Sequence, residues 1–440
     1  MGNGIGIRRE SKNRWERRSP LTPEHVLRLV NDYGIDFTVQ PSELRIFSNE
    51  KYEQAGALTC EEFKEKDIVL GIKEVPIHEL EPGRTYMFFS HTIKGQPHNM
   101  PMLRKMMELR CTLFDYERIV DEKNRRLIFF GWHAGVAGMV DTLWALGRRL
   151  EWEGLRNPFS SVMKAHEYGD LPQIREHISS IGRLIATYGI PYSLRPFVIG
   201  IAGAGNVSKG VQEILDLLPV KEVSPQELKD LKKRKDSGTN IYKVIFNEWD
   251  IVEPKEPDQK FDLQDYYDHP EKYSGRFFSY VPYLTVLMNC IYWTEKYPRL
   301  ITKEQVKELY SDHRSPKLRM IGDISCDVEG AVEATVKATT PEDPLYVYDP
   351  WDDRPVPGWK GTGPVLLAVD NLPCEIPLES SEYFGERLKE FIPAIAAADL
   401  DVETDDLKLP KPLMNSLILH KGKLTKQYSY LEKIMEGITK

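Results

Sequence analysis

The chain has 440 residues and a net charge of −8, a length that exceeds one ordinary core and suits two domains of about 150–250 residues each. Apolar residues make up 41% and charged residues 29%, which excludes a disordered or fibrous chain, while the acidic balance argues against a general nucleic-acid surface. No run nears the roughly 18 apolar residues of a membrane helix, the N-terminus lacks the apolar stretch of a secretion signal, and a cytoplasmic location is expected.

Residues 4–8 read as a short strand. Between Arg8 and Arg18 lie Arg8, Arg9, Lys12, Arg14, Arg17 and Arg18 against only Glu10 and Glu16, a basic island in an acidic protein. Thr22 as N-cap and Pro23 in the first turn predict a helix over 24–30. Apolar runs at 37–39, 68–72, 86–89, 112–114 and 127–130 alternate with helical patterns such as 101–109, the signature of a parallel sheet with helices on its faces. Residues 131–154 have few helix breakers after Gly138 and read as a strut leaving the first domain. A second α/β unit opens with a strand at 197–202, a glycine-rich turn at 203–210 and a helix at 211–218. The segment 221–275 is charged, carries four consecutive cations at 232–235, and reads as a surface insertion around one or two strands, with the cations as a solvated face. Runs at 287–292, 320–325 and 365–369 supply further strands, and the tail from 380 reads as helical, polar and packed back on the first domain. The fold class expected is α/β, with parallel sheets in both domains and a cleft between them.

The sharpest chemical signal is the turn GAGNVSKG at 203–210. Glycines let a backbone approach a pyrophosphate, and the exposed amides of the following helix favour its charge. Ser208 stands where the third glycine of GxGxxG usually falls, and such a turn can also serve tight packing alone. An acid about 20 residues further on binds the ribose in NAD enzymes. Glu222 lies near that distance, whereas Ser224 suits a 2′-phosphate, so NAD and NADP both remain open. Lys73 and His91 each follow a strand of the first domain. Ligands bind beyond the carboxyl ends of parallel strands, so both side chains are expected in one cleft. There a desolvated lysine and a histidine can exchange protons near neutrality; a solvated lysine and a backbone-satisfied histidine are the plainer readings. The five cysteines form no CxxC pair and the ten histidines no HxxxH or HExxH, so neither a disulfide framework nor a metal site is expected.

Nine segments together resemble one family. They are IGIRRE at 5–10, WERRSPLTP at 15–23, GIKE at 71–74, FFSHTIK at 88–94, FGWHAGVAG at 130–138, GAGNVSKG at 203–210, NCIYW at 289–293, DISCD at 323–327 and VDNLP at 369–373. With GKLT at 422–425 they run in order along almost the whole chain. The family is the lysine-forming saccharopine dehydrogenases, most closely the lysine-ketoglutarate reductase half of aminoadipic semialdehyde synthase, with a fold similar to alanine dehydrogenase and transhydrogenase.

The resemblance implies two Rossmann-like domains: a discontinuous substrate-binding domain, 1–133 plus 378–440, and a dinucleotide-binding domain, 134–377. It implies reductive condensation of L-lysine with 2-oxoglutarate to saccharopine, with NADPH favoured over NADH, and a separate saccharopine-oxidising enzyme as partner for the next step. By the same resemblance Lys73 is the catalytic base and His91 the general acid. Arg18, Gln96, Arg126, Phe130, Asn289, Cys290 and Ile291 match substrate positions. Arg125, Gly203, Gly205, Asn206, Val207, Ile324, Ser325, Cys326 and Asp327 match cofactor positions. His133 and Cys326 stand where relatives more often carry other residues. Glu74 and Glu117 are acidic neighbours that could tune Lys73. Saccharopine bears three carboxylates, and arginines fix carboxylates bidentately, which gives the basic island a purpose. Two other readings are a related opine or amino-acid dehydrogenase with another amine or keto acid, and a catalytically silent nucleotide-binding regulator.

Overall fold

The structure is a computed structural model that describes residues 3–65, 67–231, 233, 238–312 and 316–438. The chain divides into two compact units: unit 1 is Met1–Phe130 with Pro377–Lys440, and unit 2 is Gly131–Ile376.

In chain order unit 1 contributes β1 (Ile5–Ile7), β2 (Phe37–Val39), β3 (Leu58–Thr59), β4 (Ile68–Leu70), β5 (Thr85–Phe88) and β6 (Thr112–Asp115). Unit 2 contributes β7 (Val198–Ala202), β8 (Val220–Glu222), β9 (Ile241–Phe246), β10 (Val252–Pro254), β11 (Tyr273–Gly275), β12 (Val286–Asn289), β13 (Met320–Asp323), β14 (Leu345–Asp349), β15 (Arg354–Pro357) and β16 (Val365–Leu367). The tail returns β17 (Leu417–His420) and β18 (Lys423–Leu424) to unit 1.

The unit 1 sheet runs β18-β17-β6-β5-β4-β1-β2-β3. Strands β1 to β6 pair in parallel, and β17 lies antiparallel on β6. Central strands covered on both faces must be apolar throughout, and β1 and β4 are buried at every position. Helix α1 (Pro23–Tyr33) starts at Thr22, whose side chain accepts from the His25 N–H, and ends at Gly34 with φ +64°, the left-handed C-cap that glycine adopts without strain. The strand expected at 127–130 does not form. The place beside β6 is occupied by β17, and 121–125 folds into a turn in which Asp121 Oδ1 accepts from the Lys123 and Arg125 N–H groups. The tail is therefore part strand, where only helix was expected.

The unit 2 sheet runs β15-β14-β16-β13-β12-β7-β9-β8. It is parallel except for β14, which pairs antiparallel with β15 and β16. Helix α2 (Gly131–Trp152) packs on α3 (Asn206–Leu215). A Cβ on Gly135 would sit 2.0 Å from the Val207 carbonyl oxygen, and one on Gly210 would sit 2.0 Å from that of Trp132. Only glycine permits that approach, so α2 is built into unit 2 from its first turn. The unit boundary accordingly falls at 130/131, three residues before the expected 133/134, and the second crossing at 376/377 precedes the expected 377/378 by one.

The segment 221–275 is not a simple insertion. β9 pairs directly with β7, and β8 forms the sheet edge beyond it; only the β10–β11 pair stands apart as a separate two-stranded sheet. Of the four cations at 232–235 only Lys233 lies within the described residues, with Nζ 2.7 Å from Asp230 Oδ1.

Candidate active site

Lys73 and His91 stand just beyond neighbouring strands. β4 and β5 pair in register Val69↔Tyr86 and Leu70↔Met87, and the contact continues as the Phe89 N–H donates to the Ile72 carbonyl at 3.2 Å. The two residues are therefore carried on adjacent strand ends.

His91 takes φ +49°, a left-handed conformation that a non-glycine residue keeps only when its surroundings hold it. Its Nδ1 lies 2.6 Å from Glu74 Oε1, and Asn99 Nδ2 donates to the His91 carbonyl at 3.3 Å. Its ring stacks on Phe89 at 6.2 Å. The other Glu74 oxygen takes Lys12 Nζ at 2.9 Å. Burial opposes the Glu74 charge, but the His91 hydrogen bond and the positive charges of His91 and Lys12 outweigh it and hold the carboxyl well below the usual range. The backbone N–H groups of Ile72 and Lys73 donate to the two oxygens of buried Glu10 at 2.6 and 3.2 Å. Burial, then the Arg18 charge, pulls the Lys73 ammonium below the ordinary lysine range, against the opposing charge of Glu16. A lysine in that state moves toward proton exchange near neutrality.

Arg18 is 3% exposed and bonds Glu16 bidentately, Nε to Oε1 at 2.7 Å and an η nitrogen to Oε2 at 2.6 Å. Its guanidinium lies 4.5 Å from the Phe130 ring centroid, and Phe130 stacks on Phe384 at 5.1 Å. Arg126 pairs with Glu117. Of Glu74 and Glu117, read from sequence as tuners of Lys73, Glu74 bonds His91 and acts on the Lys73 charge, and Glu117 pairs with Arg126. Gln96 is half-buried, and its Oε1 accepts from the Lys94 N–H at 3.1 Å. Arg125 is largely exposed, with Nε 2.7 Å from Asp121 Oδ2.

In unit 2, Gly203 has φ +97°, and a Cβ there would come within 3.0 Å of Ile291 Cγ2. A Cβ on Gly205 would meet nothing within 4 Å, so the missing side chain leaves an open cradle in front of Asn206 and Val207, the first residues of α3. Ser208, in place of the third glycine, is fully buried, and the close helix approach is made by Gly210. Two cavities flank the turn. One of about 310 Å³ is lined by Gly203, Gly205, Glu248, Cys290, Ile291 and Tyr292 among others. The second, about 470 Å³, is lined by Ala204, Glu222, Ser224, Glu227 and Asn247 among others. Glycine freedom, open space and a helix N-terminus suit a dinucleotide pyrophosphate.

Because β9 lies between β7 and β8, the strand end nearest the glycine turn is followed by Asn247, and the Gly203 N–H donates to the Phe246 carbonyl at 2.8 Å. Glu222 sits on the edge strand, 3.1 Å from Lys243 Nζ, and lines the second cavity together with Ala204 and Ser224. Asn289 is 1% exposed; its Nδ2 donates to Asp323 Oδ1 at 2.8 Å and its Oδ1 accepts from the Ile291 N–H at 3.3 Å. It shapes the strand end rather than presenting its amide. Cys290 is 8% exposed within the core, and burial pushes its thiol far up. Ile324 packs where a Cβ on Gly138 would fall, and Ser325 bonds the Ile291 carbonyl. The Cys326 N–H donates to Asp323 Oδ1 at 3.2 Å at φ +57°, and burial raises its thiol to about 12. Asp327 is exposed. His133 is buried in α2 with its ring edge on Trp132 at 4.9 Å. Among the described residues no disulfide forms, and no helix is long and apolar enough to cross a membrane.

Glu10, Glu16, Asn99 and Asp115 were not singled out from sequence. Glu16 carried a signal, two residues before Arg18 in the same motif, and Asp115 another, as an acid closing the strand at 112–114; the contacts of Glu10 and Asn99 are made only by folding.

Residues 6–137 match the family model described as Alanine dehydrogenase/PNT, N-terminal domain. The chain is 38% identical to an alpha-aminoadipic semialdehyde synthase of Arabidopsis thaliana, covering 99% of this chain and 42% of that protein, and 34% identical to the mitochondrial one of Bos taurus, covering 98% and 48%. It thus spans about half the length of these relatives. A saccharopine dehydrogenase [NAD(+), L-lysine-forming] of Emericella nidulans is 27% identical, covering 88% of this chain and 90% of that one. An L-alanine dehydrogenase structure superposes with a TM-score of 0.61 at 17% identity, covering 99% of each chain, and so shows the α/β fold. Over almost its whole length the chain is similar to alpha-aminoadipic semialdehyde synthases, and over 88% of it to a lysine-forming saccharopine dehydrogenase, on an alanine dehydrogenase-like fold.

Proposed function

We propose that the chain is a nicotinamide-dependent lysine 2-oxoglutarate reductase, joining L-lysine to 2-oxoglutarate as saccharopine. The observation that carries the reading is the pair of proton-transfer groups on adjacent strand ends, Lys73 desolvated beside Arg18 and His91 held by Glu74.

The reaction needs a neutral ε-amine to attack the ketone, loss of water from the carbinolamine, and reduction of the resulting imine. Lys73 takes the proton from the substrate ammonium, its own ammonium being disfavoured by burial and by Arg18. His91 gives a proton to the departing hydroxyl, and Glu74 fixes the ring for that transfer. Arg18, Arg126 and Gln96 receive carboxylates, each charged hydrogen bond contributing about 1.5–3 kcal/mol, and Phe130 backs the Arg18 guanidinium. Gly203, Gly205, Asn206 and Val207 hold the nicotinamide cofactor, with Ile324, Ser325, Cys326 and Asp327 as its further contacts. When bound, that cofactor supplies the hydride. NADPH is the favoured form: Ser224, which suits a 2′-phosphate, lines the cavity beside the turn with Ala204, and Glu222 there is paired with Lys243.

The test is oxidation of NADPH and NADH with lysine plus 2-oxoglutarate, omitting each in turn. Oxidation that requires both, faster with NADPH, supports the reading. Oxidation with 2-oxoglutarate and another amine instead of lysine overturns it.

A further inference from the structure

Asp115 closes β6, is completely buried, and has no part in the proton transfers or carboxylate contacts described above. Three donors converge on its two oxygens. The Ser90 N–H reaches Oδ2 at 3.1 Å and the Ser90 hydroxyl donates to the same oxygen; the Glu117 N–H reaches Oδ1 at 2.8 Å. The Ser90 hydroxyl also meets Thr92 Oγ1 at 2.7 Å. Both neighbours of His91 are thereby tied to one chain of hydrogen bonds anchored on Asp115, while His91 itself sits at φ +49°. The other oxygen anchors the start of the segment that carries Glu117 and hence Arg126.

We propose that Asp115 is a positioning residue that fixes the His91 imidazole for proton transfer by clamping the backbone on both sides of it. The inference rests on the reading of His91 as the general acid. A carboxylate is required because an amide would set its NH₂ against a backbone N–H on one side. Removing an acceptor from buried donors is costly when they have no water to turn to. Burial raises the Asp115 carboxyl to about 6, against the Ser90 hydrogen bond and the charges of His91 and Arg126. The groups that face it are His91 at the end of β5, Arg126 in the following loop, and the hydroxyls of Tyr116 and, from the tail, Tyr428. Below about pH 6 the protonated carboxyl accepts fewer of the three hydrogen bonds, so the clamp weakens as pH falls.

The test compares wild type with Asp115→Asn and Ser90→Ala, each checked for folding by circular dichroism, in steady-state assays with lysine and 2-oxoglutarate from pH 5 to 9. Asp115→Asn is expected to lower kcat by about 10- to 100-fold, with both Michaelis constants within about threefold, and to abolish an acid limb near pH 6 seen in wild type. Ser90→Ala, which removes one of the three bonds, is expected to lower kcat by roughly fivefold and decides the question if the asparagine variant does not fold. Wild-type kcat in either folded variant, or a uniform loss with an unchanged pH profile, overturns the proposal. Absence of turnover in wild type counts instead against the reading of His91. In that case the imidazole proton signals of His91 decide: several conformations in Asp115→Asn support the clamp, and a single unchanged signal overturns it.

Discussion

Substituting Glu375 by glutamine isolates a buried acid pair in unit 2 and its effect on stability. Glu375 and Asp141 are 2% and 1% exposed. Asp141 Oδ1 accepts from the Ala165 N–H at 2.7 Å, and Glu375 Oε2 lies 2.9 Å from His166 Nδ1. That leaves Asp141 Oδ2 and Glu375 Oε1 as buried oxygens without a donor, and the two carboxyls act on each other. Two carboxylate oxygens attract only if a proton lies between them, so the pair retains one. Burial raises Glu375 to about 7 from its ordinary 4.5, and raises Asp141 well above its own ordinary value, with the Glu375 charge adding to the effect. Through Glu375 the folded state then binds more protons than the unfolded state between about pH 4.5 and 7, and the raised Asp141 adds to this in the same direction. Stability from this group is complete below 4.5, falls as pH rises through that window, and is flat above it. Two and a half units at 1.36 kcal/mol each amount to about 3 kcal/mol. Glutamine can donate to Asp141 without a titrating proton and removes the slope. Urea unfolding of wild type and Glu375→Gln at pH 5 and pH 8 measures it: the variant is expected to gain about 3 kcal/mol on wild type over that interval. Parallel stability curves would refute the shared proton, since His166, Lys164 and Glu167 are present in both proteins.

Lys73→Met is expected to lower turnover by 100-fold or more, roughly the contribution of a general base, while cofactor affinity measured by fluorescence titration changes little. Equal losses in both would remove Lys73 from proton transfer. Arg18→Ala should raise the Michaelis constants for the carboxylate substrates. It should also destabilise unit 1 by about 3–5 kcal/mol, because it takes the bidentate partner away from the buried Glu16 carboxylate. Adding Glu16→Gln should restore most of the stability without restoring the Michaelis constants; a double variant as unstable as the single one would contradict the pairing.

Local signals were read well from the sequence, and pairings between distant segments were not. The α1 cap is visible because Thr22 and Pro23 act within one turn, and the turn at 203–210 because its glycines are consecutive with strand and helix. Lys73 and His91 were placed at strand ends because each directly follows an apolar run. The β9-before-β8 order escaped because edge and inner strands of a parallel sheet look alike over three to six residues, and that order puts Glu222 on the sheet edge. β17 escaped because its four residues carry no mark of the distant strand they join. The anchors of the site, Glu10 under Lys73 and Asn99 at His91, lie 63 and 8 residues from their partners and become neighbours only once strand ends align.

The central claim is tested most directly by mass spectrometry of the product formed from lysine and 2-oxoglutarate with NADPH deuterated at the transferred position. The account predicts one adduct of lysine and 2-oxoglutarate carrying one deuterium, absent when either substrate is left out. Deuterated glutamate in its place, or no labelled product with either NADPH or NADH, would contradict it.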